Sequence, residues 1–114
     1  MLAKKFRLSN KKDFERLHKN GKFFGNNFLA IKVAKNDLEI SRFGFAIGKK
    51  ISKKAVIRNK VRRRLQENIR IKMPKIKPGF DIIFFAREEI GKKDYWEIDK
   101  EINKIFEKAG LIKI

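Results

Sequence analysis

From Phe28 to Lys35 the side chains alternate, with Leu29, Ile31 and Val33 on one face and Phe28, Ala30 and Lys32 on the other, which is the period of a strand. Asn36-Asp37 reads as a turn. A partner strand from about Ser41 to Gly48 sets Phe43, Phe45 and Ile47 against Gly44, Ala46 and Gly48, so one face is bulky and the other nearly bare. A bare face lets another backbone or a ligand approach closely. Lys53 to about Arg70 carries Ile57, Val61, Leu65 and Ile69 at successive i+4 positions, the stripe of a helix with one buried side. Pro74, Pro78 and Gly79 break the chain, and Phe80 to Arg87 is too apolar for an exposed strand and belongs inside a sheet. Asp94 with Glu97 predicts a capped helix whose Ile98, Ile102, Ile105 and Phe106 face inward and which Gly110 ends. Near the N-terminus, Ser9 or Asn10 can cap a helix running to about Asn20, with Phe14 and Leu17 on one side and Gly21 as a left-handed stop. The order is helix, two or three strands, basic helix, strand, helix, a mixed α/β sandwich.

The chain has 114 residues and 42% hydrophobic composition, enough for one core, and no linker or repeat divides it, so residues 1–114 are expected to form a single domain. Its longest unbroken apolar run without glycine, residues 82–86, falls far short of the roughly 18 residues of a membrane span. The N-terminus turns polar at once and lacks the pattern of a secretory signal. With no cysteine in the sequence, disulfides and thiolate metal sites are excluded, and a soluble, cytoplasmic protein is expected.

Charge changes the picture most. Thirty-one Lys and Arg against 13 Asp and Glu give a net charge of +18, and the expected partner is a polyanion. Residues 1–75 hold 23 basic and 5 acidic side chains, whereas 76–114 hold 8 of each, so the binding surface belongs to the first two thirds. Between Lys49 and Arg70, ten basic residues face the single acid Glu67. Arg58, Asn59, Lys60, Arg62, Arg63 and Arg70 occupy the side of the basic helix left free by the apolar stripe, and Lys49, Lys50, Lys53 and Lys54 precede it. Arginine suits phosphate because its planar fork donates two parallel hydrogen bonds and stacks on bases. A metal-dependent nuclease needs converging carboxylates or histidines, and this sequence offers one histidine and scattered acids. Charge alone leaves open a structural ribosome-type protein, or a DNA-binding module with the arginine helix in a major groove.

Arg42-Phe43-Gly44, then Lys49-Lys50, then Ala55-Val56-Ile57-Arg58-Asn59-Lys60-Val61-Arg62-Arg63, with Glu67 and Arg70, resembles the protein component of bacterial ribonuclease P. Similarity extends to the Asp13-Phe14 helix, the Asp81-Ile82-Ile83 strand and the C-terminal amphipathic helix. The resemblance implies an α-β-β-β-α-β-α sandwich of the ribosomal protein S5 domain 2-like kind, with a left-handed crossover around the basic helix that departs from the usual right-handed rule. It implies a non-catalytic subunit that binds a catalytic RNA and the 5′ leader of precursor tRNA, needs no protein partner or membrane, and leaves cleavage to the RNA with Mg²⁺ at the RNA active site. RNA binding is then expected at Arg42, Lys49, Lys50, Lys53, Lys54, Arg58, Asn59, Lys60, Arg62, Arg63 and Arg70. A leader cleft is expected at Phe14, His18, Phe28, Ala30 and Lys32. Histidine at position 18, where relatives often carry an aromatic ring, and glutamine at position 66, where arginine is common, depart from the family pattern.

Overall fold

The computed structural model describes residues 2–25, 28–48 and 51–113. Its elements are α1 (Lys11–Asn20), β1 (Lys22–Gly25), β2 (Leu29–Lys35), β3 (Arg42–Ala46), α2 (Ala55–Lys72), β4 (Phe80–Ala86) and α3 (Tyr95–Ala109), with short 3₁₀ turns at Lys4–Phe6, Met73–Lys75 and Glu88–Lys92. This is the α-β-β-β-α-β-α order, an α+β sandwich. The sheet runs β1-β2-β4-β3. β2 is antiparallel to both β1 and β4, while β3 and β4 are parallel neighbours, so α2 is the crossover between them. The apolar run of β4 lies inside the sheet, between β2 and β3, and Asp81, Ile82, Ile83 and Phe84 are all buried.

One face of the sheet carries the main core. Leu29, Ile31, Val33, Phe43, Ile82 and Phe84 meet Val61, Leu65 and Ile69 of α2 and Ile98, Ile102, Ile105 and Phe106 of α3. Each such side chain contributes about 1.5–3 kcal/mol on burial, so packing rather than helix propensity holds α2 and α3 in place. α3 has the expected capping box between Asp94 and Glu97, and Gly110 closes it at φ 69°. Asn36 accepts from the Leu38 amide at 2.8 Å and Asp37 takes φ 60°, making the predicted turn.

The second face is covered by α1, which Asn10 caps by accepting from the Lys12 amide at 2.9 Å. Leu8, Leu17 and Ile83 are buried there, with Phe14, Ala34 and Phe85 packed around them. The bare side of β3 is therefore occupied by the chain itself: a Cβ at Gly44 would meet Phe14 Cε1 at 3.0 Å and Leu8 Cβ at 3.3 Å. The expectation of a left-handed Gly21 is corrected. Its φ of −72° and ψ of 145° are extended, and glycine is required because a Cβ would lie 2.4 Å from the Leu17 carbonyl oxygen. β1, four residues long, is too short to show a period and accounts for the third strand.

α1 is fastened to the sheet by a buried carboxylate. Asp81 is fully buried; its Oδ1 accepts from Arg42 Nε and Asn36 Nδ2, both at 2.9 Å, and its Oδ2 accepts from Arg42 Nη2 at 2.7 Å and from Arg16. Arg16 also donates to the Lys35 carbonyl at 2.8 Å, and Arg42 reaches Asp13 at 3.3 Å. A second polar latch ties α2 to α3. Asp99 Oδ1 accepts from Asn68 Nδ2 at 2.6 Å and Lys72 Nζ at 2.5 Å. Burial works to raise the Asp99 pKa, but the hydrogen bonds from Lys72 and Asn68 outweigh it and hold the carboxyl below its ordinary range.

Asp81→Ala strands two guanidinium groups that keep some contact with water, so it is expected to cost about 3 kcal/mol in denaturant unfolding, the low end for a broken buried pair. Because folding lowers the Asp99 pKa, its stabilisation is complete above the ordinary carboxylate value and lost as pH falls through the folded one. The thermal midpoint should therefore drop with acid, and Asp99→Asn should show a lower neutral-pH midpoint with a shallower acid drop.

Candidate nucleic-acid interface

α2 begins without a side-chain cap: Lys54 stands at the N-cap position and no acid lies in the first turn. Uncapped amides and the positive end of the helix dipole favour an anion there. Lys53 and Lys54 are exposed at this end. Arg58 folds back and donates from Nη1 to the carbonyls of Ser52 at 2.8 Å and Lys53 at 3.0 Å, so it shapes the approach to the helix. Along the outer side, Val56, Asn59, Arg62, Arg63 and Gln66 line an open hollow of about 510 Å³. Arg62 Nη1 donates to Asn59 Oδ1 at 3.0 Å, which aligns the two side chains, and Val56 is 76% exposed beside them. Lys60 is exposed on the same helix.

Not every expected residue joins this face. Arg70 is paired with Glu67, Nη2 to Oε1 at 2.5 Å. Their mutual hydrogen bond raises the Arg70 pKa and lowers that of Glu67. Among the described residues Arg70 is the one α2 arginine held by a carboxylate. Arg64 turns the other way and donates to the Lys93 carbonyl at 2.6 Å. Arg42 lies on the opposite side of the sheet's core in the Asp81 cluster, and its hydrogen bond with Asp81 holds its pKa up. Lys49 and Lys50 lie outside the described residues.

A second surface lies on the α1 side of the sheet. Directly paired residues share a face, so Phe23, Lys32 and Ile83 form one row across β1, β2 and β4, and Gly25, Ala30 and Phe85 the next. From α1, the His18 ring sits 6.1 Å from the Phe85 ring. Lys32 Nζ lies 3.3 Å from both His18 Nδ1 and the His18 carbonyl oxygen. Phe14 is half-buried against Gly44 and Leu8. Phe14, His18, Ala30 and Lys32 thus belong to one side of the sheet. Phe28 does not: the strand begins only at Leu29, so alternation does not extend to it. Its ring is buried in the main core beneath Lys93 Nζ, 5.2 Å from the ring centroid. Phe23 and Phe85 also lie on this face, beyond the residues expected from the sequence. The signal for Phe23 was an adjacent pair, Phe23-Phe24, in which a strand must send one ring to each face.

Arg16, Lys22, Lys35 and Lys108 also surround a cavity of about 620 Å³ at the edge of the sheet, floored by Phe24, Val33 and Phe80. Among the described residues no group of three or more His, Asp or Glu is placed to hold a metal ion, and no helix is long and apolar enough to cross a membrane.

A profile of the family described as Ribonuclease P matches residues 2–110. The chain belongs to the ribonuclease P protein family. It is 39% identical over 100 residues to the ribonuclease P protein component of Clostridioides difficile, covering 87% of each chain. To that of Clostridium botulinum it is 35% identical over 109 residues, covering 95% of this chain and 97% of the relative. Among solved structures, the Staphylococcus aureus RNase P protein superposes with a TM-score of 0.86 at 26% identity, covering 95% of this chain and 98% of that one. The Thermotoga maritima protein gives 0.81 at 28% identity over 90% and 96%. Membership in the ribonuclease P protein family places the chain in an endoribonuclease complex of tRNA processing, with an RNA subunit as its partner.

Phe14→Ala tests how far the first helix depends on its ring. Phenylalanine deletions in full cores cost about 3–5 kcal/mol; this half-exposed ring should cost roughly 2, measured by urea unfolding.

Proposed function

We propose that the chain is the RNA-binding, non-catalytic subunit of the ribonuclease P ribonucleoprotein, with residues 1–114 acting as one RNA-binding domain in the cytoplasm. The outer face of α2 docks on the catalytic RNA, and the α1 side of the sheet receives the 5′ leader of precursor tRNA, promoting endonucleolytic 5′ maturation. The observation that carries this reading is the α2 face. Asn59, Arg62 and Arg63 converge on one hollow beside an uncapped, lysine-flanked helix start. Phosphates complete such a face by occupying the free amides and guanidinium groups.

The RNA performs the cleavage and holds Mg²⁺ at its own active site; the protein alone holds none and needs no protein partner. The acids support this division of labour, because Asp13 and Asp81 engage Arg42, Glu67 engages Arg70, Asp99 engages Lys72, and Asp94 and Glu97 cap a helix. The protein's contribution is to lower phosphate repulsion as RNA segments are brought together. Leaders differ in sequence, and a basic surface with planar side chains tolerates that variation.

Affinity for the catalytic RNA should fall steeply with salt. Arg62→Ala and Arg63→Ala are each expected to reduce the slope of log K against log salt by roughly 0.7–0.9, one phosphate contact apiece. Titrations across a salt series check this, and slopes equal to that of the unmodified protein would sink the assignment of the α2 face.

A further inference from the structure

Phe23 is 57% exposed on the edge strand, although its neighbour Phe24 is turned into the core side. Its row-mate across the sheet is Lys32, whose ammonium lies beside His18. The ring lies over Gly25: a Cβ there would meet Phe23 Cε1 at 2.9 Å and Cζ at 3.0 Å, and Ala30 Cβ at 2.9 Å. Glycine at 25 thus leaves the room in which the ring can lie across the sheet edge, over the row that runs through the buried Ala30 to the half-buried Phe85. An aromatic ring kept in water beside cations on a strongly basic protein has the composition of a single-strand stacking site, in which cations follow the phosphates and rings take the bases. The neighbouring Lys32 and the absence of any acid from these two rows favour a polyanion over an apolar partner.

We infer that Phe23, seated on Gly25, is a base-stacking residue of the leader cleft and extends that cleft onto β1. This deepens the proposed leader reading and rests on it. On this surface His18 and Lys32 provide no extended aromatic face, and Phe23 supplies one from the adjacent strand. Because stacking has no preference for base edges, the contribution should be similar for leaders of different sequence.

The experiment uses the protein assembled with its catalytic RNA and compares affinity for precursor tRNA with that for mature tRNA. Phe23→Ala should weaken precursor binding roughly five-fold or more, in line with base–aromatic stacking, leave mature tRNA binding unchanged, and leave the thermal midpoint within a degree or two. Phe23→Trp should restore binding, and its emission above that of Trp96 should be quenched by a leader oligonucleotide. Gly25→Ala, which displaces the ring, should reproduce the Phe23→Ala loss. If Phe23→Ala binds precursor normally while Lys32→Ala loses the preference for it, the stacking role is overturned and the cleft stands. If Phe23→Leu binds as well as the unmodified protein, the ring is only apolar cover and the inference falls. If the unmodified protein does not distinguish precursor from mature tRNA, the leader reading itself fails. Should Phe23→Ala misfold, the Phe23→Trp quenching decides alone: quenching supports the role and its absence overturns it.

Discussion

A single carboxylate with no exposure to water determines how the two layers of this protein sit against each other. Asp81 enters the sheet at the start of β4, where both neighbouring strands exclude solvent, and such a charge is tolerable only when fully hydrogen-bonded. Arg42 from β3, Asn36 from the turn after β2 and Arg16 from α1 supply that bonding. Arg16 on Asp81 and Asp13 on Arg42 tie the first helix to the sheet, where Phe14 lies over Gly44 and His18 beside Phe85 and Lys32. The geometry of the α1-side surface thus combines the satisfaction of one buried charge with the apolar contact of Leu17 and Phe14 on the sheet.

The arrangement also explains how so basic a chain keeps a defined fold. Several of its few acids act at joints: Asp81 between α1 and the sheet, Asp99 between α2 and α3, and Asp94 with Glu97 at the start of α3. The cations at these joints are neutralised locally, while those on the outer side of α2 hydrogen-bond mostly to neutral oxygens and keep their charge available. The cations that hold the fold and the open cations of α2 are separated in space, so the outer α2 face can carry a high charge density without each cation disturbing the core.

Much of this was legible in the residues. The i+4 stripe of α2 gave its buried side, since Val61, Leu65 and Ile69 are all buried, while Ile57 near the helix start is only half-buried. The capping box of α3 and the interior position of β4 followed from local chemistry and polarity. The Asp81 cluster was not legible, because its members lie 39 and 65 residues apart and no local period connects them; a lone aspartate opening a buried run was the available hint. Gln66 is buried at the base of the outer α2 hollow, and Asn68 turns to Asp99, placements that the central stripe of α2 does not reveal. Phe28 lies in the main core because the alternation of β2 stops at Leu29. Arg42 carries a family motif, yet its surroundings bind it to carboxylates of its own chain.

The two margins of the sheet are treated differently. Beside β3, the N-terminal segment bridges Arg7 to Phe43, and the Leu8 amide donates to the Phe43 carbonyl at 2.8 Å, so that margin is closed by the chain itself. β1 forms the other margin and pairs with β2 on its inner side. Among the described residues no strand pairs with the outer side of β1; an unpaired strand margin invites a further strand from another molecule, and here it is the margin that carries Phe23. Self-association through β1 and entry of a nucleic-acid strand would compete for the same border of the molecule, so RNA bound there would also shield the protein from clumping.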